Sequence, residues 1–227
     1  MIIRKTAKFA DAHQNFYLTF HGKRLIITIG LRKIRGIADF NQKERSLAMK
    51  SRMECLQEYG SDYFVRQQID AGNLFRLEKG IYSEQKKVPE LALLMYKYPN
   101  AVVTMHNAFY MHGLTDVIPD EYDLATDRDS AKIHDKRVKQ FFYPKDSLYL
   151  GVEKNDYKGY VIPVYGLERM LVELIRYKSK LPFEYYKEII LSFRKMLPKM
   201  NIQKVQDYAL AVPKSNRILE TLQMEVL

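Results

Sequence analysis

The spacing of apolar residues predicts a helix near residue 50. Met49, Met53 and Leu56 recur at i, i+4 and i+7, the spacing of one helical face, and Gly60 follows them. Glycine favours the left-handed backbone that commonly closes a helix. We therefore predict an amphipathic helix from Met49 to Gly60, with its apolar face turned towards a core.

A second helix and a tight hairpin are predicted directly after it. Ser61 is a favourable N-cap, and Val65 and Ile69, one helical turn apart, are expected to face inward until Gly72 ends the helix. The apolar run beyond it reverses at Lys79-Gly80, where glycine supplies the positive φ of a tight turn. These positions predict two short strands around that turn.

Two helices and a two-stranded wing make the outline of a winged helix-turn-helix, which we assign to residues 49–84. In that fold the second helix enters a DNA major groove, and Arg76 and Lys79 on the wing would contact phosphate. The alternative is a structural module that binds no nucleic acid. Residues 49–82 hold five basic and five acidic side chains, and phosphate contacts supply most non-specific DNA affinity. The balanced charge leaves both interpretations open.

Mixed strands and then helices are predicted beyond residue 85. Apolar and alternating runs predict strands at "AVVT", "YDLAT" and "VKQFFY" and a hairpin in "VEKNDYKGYVIPVY". Helical spacing predicts helices at "PELALLMYKYP" and "MHNAFYMHG" and in four segments from residue 167 onwards. We therefore expect an α+β chain in which the winged module precedes a mixed domain, residues 85–227, that ends in helices.

The net charge of +10 favours a nucleic-acid partner, but its distribution is uneven. Residues 1–48 hold ten basic and three acidic side chains, whereas residues 49–227 hold 27 and 24. The first segment shows one strand pattern, "NFYLTFHGKRLIITIGL", with a turn at "HGK". Codons for residues 43–46 permit a purine-rich ribosome-binding sequence just before Met49. Residues 1–48 are therefore either an extension that is not natively translated or a genuine basic arm.

Cysteine content and hydropathy predict where the protein acts. Cys55 is the only cysteine, which fits a reducing compartment. The N-terminus lacks a signal-peptide pattern, and apolar stretches such as "LIITIGL" are far shorter than the roughly 20 residues of a membrane span. We expect a soluble, cytoplasmic protein without a membrane partner.

Three stretches resemble the AbiEi-type antitoxins of type IV toxin–antitoxin systems. The run "GNLFRLEKGIY" (72–82) resembles the wing motif of that family, glycine-x-leucine-x-arginine-aliphatic-x-x-glycine-aliphatic-tyrosine. The run "TMHNAFYMHGLTDVIP" (104–119) resembles its strand-to-helix segment, and "VYGLERMLVELI" (164–175) resembles its Glu-Arg-x-x-x-(Asp/Glu) helix. The three occur in the family's order, and the resemblance covers roughly residues 49–227.

The resemblance implies a non-enzymatic antitoxin of abortive phage infection that needs no cofactor. Such a protein represses its own operon by binding operator DNA and counteracts a nucleotidyltransferase-like toxin without a tight complex. The residues implied to contact DNA are Tyr63, Arg66, Gln67, Arg76 and Lys79. The family's module has three helices before the wing, whereas only two fit between Met49 and Gly72.

Basic residues are concentrated in two later stretches. Residues 128–145 hold six Lys or Arg against two Asp, and residues 169–199 hold eight against three Glu with tyrosines between them. Such a pattern suits an RNA or nucleotide surface, and it equally suits amphipathic helices whose tyrosines cover the core. The alternative function is thus a module without DNA affinity that acts on a toxin or its RNA substrate through the 128–199 surface. The expected antitoxicity residues are Lys136, Arg137, Lys139, Arg169 and Arg176.

Signals for other chemistry are weaker, and we predict no catalytic or metal-binding residues. The acids of "PDEYDLATDRD" (119–129) suggest a third function, a Mg²⁺-dependent nuclease, although turns and strand ends favour Asp anyway. His106 and His112 lack zinc spacing. Arg169 and Glu173, at i and i+4, are expected to form an exposed ion pair worth ~0.3–0.5 kcal/mol.

Overall fold

The computed structural model describes residues 16–21, 24–29 and 49–226. The chain divides into two compact units, residues 1–36 and 37–227. In the first unit, β1 (Phe16–His21) and β2 (Arg24–Ile29) pair antiparallel, which confirms the predicted strand pattern. Residues 43–46, on which the hypothesis of a translation start at Met49 rests, lie outside the described residues.

The second unit is a mixture of α-helices and β-strands. Its strands are β3 (Met49–Ser51), β4 (Phe75–Glu78), β5 (Ile81–Ser83), β6 (Val102–Val103), β7 (Tyr122–Asp127), β8 (Val138–Tyr143), β9 (Val152–Tyr157) and β10 (Tyr160–Tyr165). Its helices are α1 (Arg52–Tyr59), α2 (Asp62–Asp70), α3 (Glu90–Lys97), α4 (Met105–Met111), α5 (Lys145–Leu148), α6 (Leu167–Tyr177), α7 (Phe183–Met196), α8 (Ile202–Ala211) and α9 (Ser215–Glu225), with 3₁₀ turns at Lys178–Lys180 and Leu197–Lys199. The expected α+β composition is confirmed.

The strands that the structure describes between residues 49 and 226 form two sheets. A three-stranded antiparallel sheet has the order β3-β5-β4, and a five-stranded mixed sheet has the order β8-β7-β6-β10-β9. In the larger sheet, β7 pairs parallel with β8 and β6 pairs parallel with β10, while the other two pairings are antiparallel. The strands predicted beyond residue 85, including the hairpin between β9 and β10, all lie in this larger sheet.

The start of the first helix differs from the prediction. Met49 belongs to β3, which pairs with β5, and α1 begins only at Arg52. The reason is a capping box: the Ser51 hydroxyl accepts from Glu54 N at 3.2 Å, and the Glu54 carboxylate accepts from Ser51 N at 2.6 Å. Met53, predicted to face inward, is 64% exposed, and Cys55 is buried in its place.

The remaining elements of residues 49–83, which we call the helix–hairpin unit, follow the prediction. Gly60 closes α1 with φ of 87°. The Ser61 hydroxyl caps α2, and Val65 is buried on its inner face beside the partly buried Ile69. Gly80 has φ of 81° in the turn between β4 and β5. Local sequence signals therefore determine this part of the fold.

An apolar cluster and a network of ion pairs join the helix–hairpin unit to the larger sheet. Met49 packs on Ala92 and Leu93 of α3. Glu78 of β4 lies 2.9 Å from the Lys97 ammonium and 2.6 Å from the Arg137 guanidinium. The same guanidinium is 2.7 Å from Asp135 and 3.1 Å from Glu90. Arg137 thus connects three carboxylates from three parts of the chain.

The Arg169–Glu173 pair on α6 is buried, not exposed as predicted. Both side chains have 0% exposure, and Arg169 Nε donates to Glu173 Oε1 at 2.9 Å. Arg169 also donates to the Ser147 carbonyl at 3.1 Å, and the Tyr143 hydroxyl donates to Glu173 at 3.0 Å. Gly151 allows this close packing, because a Cβ there would lie 2.7 Å from the Arg169 Cβ. The i, i+4 spacing was read correctly, but α6 is covered on this side by β8 and by the segment around α5.

Glu173→Gln is expected to destabilise the protein strongly, since it leaves the Arg169 guanidinium buried without its counter-charge. The expected loss of unfolding free energy is ~3–5 kcal/mol, measured by urea denaturation. Glu184→Gln, on the exposed side of α7, is the control and should change stability by less than about 0.5 kcal/mol. Equal effects of the two substitutions would show that the buried pair contributes nothing specific.

The network around Arg137 predicts a loss of stability in acid. The hydrogen bond from Arg137 holds the pKa of Asp135 well below its usual range, and hydrogen bonds from Lys97 and Arg137 lower the pKa of Glu78. A carboxylate with a depressed pKa stabilises the fold above its unfolded pKa of about 4 and loses that contribution as pH falls through the folded value.

Asp135→Asn should therefore lower the unfolding free energy by ~1–2 kcal/mol at pH 7, and the difference from the wild type should shrink below about pH 4. Urea titrations at a series of pH values measure both quantities. Asp129→Asn, an exposed carboxylate, is the control. A constant difference at every pH would contradict the assignment.

Candidate nucleic-acid interface

The outer face of the helix–hairpin unit carries the residues expected to contact DNA. On α2 these are Tyr63, which is 65% exposed, and Arg66 and Gln67, which are exposed as well. Gln67 Nε2 donates to the Tyr63 hydroxyl at 3.0 Å, so these two side chains form one polar patch. Arg76 and Lys79 are exposed on the hairpin. The fold leaves all five side chains accessible.

The helix–hairpin unit holds equal numbers of acidic and basic side chains, but its acidic side chains are paired more often than its basic ones. Three of its five acids are held in ion pairs: Asp62 with Arg52 at 2.6 Å, Glu58 with Lys50 at 2.7 Å, and Glu78 with Lys97 and Arg137. Glu54 accepts from Ser51 and from the Tyr96 hydroxyl. Arg66, Arg76 and Lys79 enter no ion pair with any described residue. The unpaired charge on the outer face is therefore mainly positive.

The five predicted antitoxicity residues do not share one surface. Lys136 and Lys139 are exposed, and Arg137 is half-buried among its three carboxylates. Arg169 is buried and cannot belong to a surface, so its assignment is wrong. Arg176 is only 14% exposed, and its guanidinium lies 3.1 Å from Glu173 and 4.6 Å from the Tyr143 ring centroid. Structural partners hold three of the five side chains.

A cleft of about 500 Å³ lies next to the exposed end of this basic region. Its lining comes from β8, from the start of α4 and from the segment that follows α6. Polar and aromatic groups predominate among the lining side chains: His106, Lys139, Gln140, Phe141, Tyr177 and Lys180. We name it the β8–α6 cleft.

Cations and aromatic rings alternate along one wall of the β8–α6 cleft. The Lys139 ammonium is 5.7 Å from the Phe141 centroid, and the Lys180 ammonium is 5.1 Å from the Tyr177 centroid. The two rings meet edge to face, with centroids 5.5 Å apart. Neither lysine enters an ion pair with a described residue. The wall thus presents two free cations beside two rings.

A histidine fixed by a buried carboxylate stands on the other side of the cleft. His106 Nδ1 is 2.6 Å from Asp123 Oδ2, and the same oxygen accepts from His106 N at 2.9 Å. Tyr185 stacks on the imidazole with centroids 5.1 Å apart. The carboxylate selects the tautomer with a proton on Nδ1, so Nε2 is the ring atom left for a ligand. Sequence reasoning missed this pair because its partners lie 17 residues apart, although His106 falls inside the quoted run "TMHNAFYMHGLTDVIP".

Comparison with known proteins supports the fold alone. No protein-family model and no curated protein matches the chain. Among solved structures the chain is similar to the Rv2827c protein from Mycobacterium tuberculosis. The TM-score is 0.55 and the identity 15%, over 77% of this chain and 71% of that one. A similarity of this kind carries no information about activity.

The acids at 119–129 do not gather into a metal site. Asp123 is bound to His106, and Asp127 accepts from Asp129 N at 3.1 Å. Within the described ranges no group of three or more His, Cys, Asp or Glu side chains is placed to hold a metal ion.

No helix in the part of the chain that the structure describes is long and apolar enough to span a membrane.

Proposed function

We propose that this protein is a DNA-binding regulator and antitoxin of the AbiEi type. The helix–hairpin unit acts as a winged helix-turn-helix on the operator of its own operon, and the remaining domain counteracts a nucleotidyltransferase-like toxin during phage infection. One observation carries the proposal of DNA binding: three basic side chains on α2 and its hairpin are exposed and enter no ion pair with a described residue.

The order of elements supports this proposal. A capped second helix followed at once by a short hairpin matches the arrangement in which that helix enters a major groove and the wing lies over phosphate. Tyr63, Arg66 and Gln67 supply the donors that read base edges. Arg76 and Lys79 supply backbone contacts. The internal ion pairs offset the charge of most carboxylates of the unit, which reduces their repulsion of DNA phosphates.

Arg66→Ala is expected to weaken binding to the operator most, by ~1–3 kcal/mol, because it removes a base-reading side chain. Lys79→Ala should weaken operator and unrelated DNA alike and reduce the salt slope of log K by about 0.9. Fluorescence anisotropy with fragments of the protein's own promoter measures both, with Lys187→Ala on α7 as the control. Equal affinity of the wild type for promoter and unrelated DNA would contradict specific repression.

Antitoxicity is assigned to the exposed part of the basic stretch, Lys136 and Lys139. A fragment that begins after residue 83 is a poor test, since it would expose Ala92 and Leu93 and remove the Glu78 partner of Arg137. Full-length variants avoid this loss of packing. Reversing the charge of Arg137 is also unsuitable, since a carboxylate there would face three others.

The double variant Lys136→Glu, Lys139→Glu should fold normally. It should rescue cells from the toxin less well than the wild type does. The toxin to be expressed is the product of the reading frame next to the gene. Growth rescue is the measurement, and thermal unfolding checks the fold. Lys86→Glu, Lys204→Glu makes the same change in charge at exposed sites outside residues 128–199. Full rescue by the folded Lys136, Lys139 variant would overturn the assignment.

A further inference from the structure

The β8–α6 cleft has the features of a ligand site that DNA binding by α2 does not use. Its volume of about 500 Å³ falls in the range of about 300–1,000 Å³ typical of small-molecule sites. Met105, at the cleft, has a φ of 43°, which is rare for a side chain other than glycine. Such backbone strain costs ~1–3 kcal/mol and clusters at functional sites.

The side chains of the cleft define the chemistry of its ligand. Two ammonium groups without ion-pair partners among the described residues, Lys139 and Lys180, attract a phosphate or another anion. The rings of Phe141 and Tyr177 next to them offer apolar surface for a planar base, and stacking on such rings is tolerant of base identity. His106 Nε2 adds a polar group on the cleft lining. The Gln140 amide also lines the cleft, but Thr126, Ala131 and Ile133 already occupy its hydrogen-bonding groups. A simple anion would not need the aromatic rings, and an apolar ligand would not need the lysines.

We infer that the β8–α6 cleft binds one nucleotide unit, with its phosphate at Lys139 and Lys180 and its base against Phe141 and Tyr177. The unit is either a free nucleotide or one residue of a single strand. This site is separate from the proposed operator contacts on α2, so the two can fail independently. It also gives the exposed basic region a ligand of defined chemical class.

The first test measures binding of a fluorescently labelled, ten-residue single-stranded oligoribonucleotide by anisotropy. The variant Lys139→Glu, Lys180→Glu should bind at least ~10-fold more weakly. Its salt slope of log K should fall by about 0.7, because the two lysines together neutralise one phosphate of the single strand. The control Lys145→Glu, Lys195→Glu has the same net charge and should keep the wild-type slope. Equal losses in both variants, or no binding by the wild type to either this strand or AMP, would overturn the inference.

The second test separates the two sources of the nucleotide and checks the role of the rings. AMP at millimolar concentration displaces the labelled strand only if the cleft accepts a free nucleotide. If it does, saturation-transfer NMR with AMP alone should show contact between the protein and the protons of the base. Displacement identifies a free nucleotide as a ligand, and binding of the strand without displacement identifies the single strand.

Phe141→Leu should lower the affinity for whichever species binds, the strand or AMP, about fivefold or more, because the base loses its stacking surface. Arg66→Ala should leave both measurements unchanged, and a loss there would place binding on α2 instead. Circular dichroism and thermal unfolding confirm that each variant is folded. A folded Phe141→Leu variant with wild-type affinity would contradict stacking in the cleft.

Discussion

The buried ion pair between Arg169 and Glu173 sets the constraint on which the packing of α6 against the five-stranded sheet depends. Two charges removed from water are tolerable only when they pair closely and hydrogen bonds satisfy most of their remaining donors and acceptors. Arg169 Nη2 lies 2.8 Å from Glu173 Oε1 but makes no hydrogen bond, so the other donors and acceptors of the pair must be satisfied. The partners come from separate parts of the chain: the carbonyls of Ser147 and Leu150, the Tyr143 hydroxyl and the Arg176 guanidinium. The rings of Tyr143 and Tyr165 also face the Arg169 guanidinium. Helix α6 can therefore take only one position relative to β8, β10 and α5, because a shift would leave a buried charge unpaired.

The β8–α6 cleft is a direct consequence of that constraint. Lys139, Phe141 and Tyr143 alternate along β8, so they lie on the same side of the strand. Tyr143 is held against α6 by its bond to Glu173, which brings Phe141 next to Tyr177 at the end of the helix. Lys180 follows one turn later. The interaction that stabilises the core therefore also positions the two cations and the two rings of the cleft.

Sequence patterns predicted the features that depend on neighbouring residues and missed those that depend on distant ones. Ser61 and Gly80 act on residues within a few positions, and both predictions are confirmed. An i, i+4 pair such as Arg169–Glu173 has the same spacing whether it is exposed or buried. Its burial is decided by β8 and α5, more than 20 residues away.

The misplaced start of α1 has the same origin. Helical spacing from Met49 to Leu56 is real, but Met49 pairs with Ser83 across the small sheet, 34 positions along the chain. The capping box at Ser51 then fixes where the helix can begin. The His106–Asp123 pair could be suspected from the motif around His106, but its partner was hidden on a later strand.

Counting charges in the sequence cannot decide whether either basic face binds a polyanion. The reason is that some carboxylates form ion pairs with only a subset of the basic side chains, and the other basic side chains stay unpaired. In the helix–hairpin unit, Asp62, Glu58 and Glu78 are occupied by Arg52, Lys50, Lys97 and Arg137. Beyond residue 85, Asp135 is occupied by Arg137, and Glu173 by Arg169 and Arg176. The cations that pair are those that join elements, and Arg66, Lys79, Lys139 and Lys180 remain unpaired among the described residues. Residues 49–227, with 27 basic and 24 acidic side chains, thus fold so that free positive charge remains at two places, on α2 with its hairpin and at the β8–α6 cleft. The ion pairs that hold the fold together contribute to both, because they occupy nearby carboxylates.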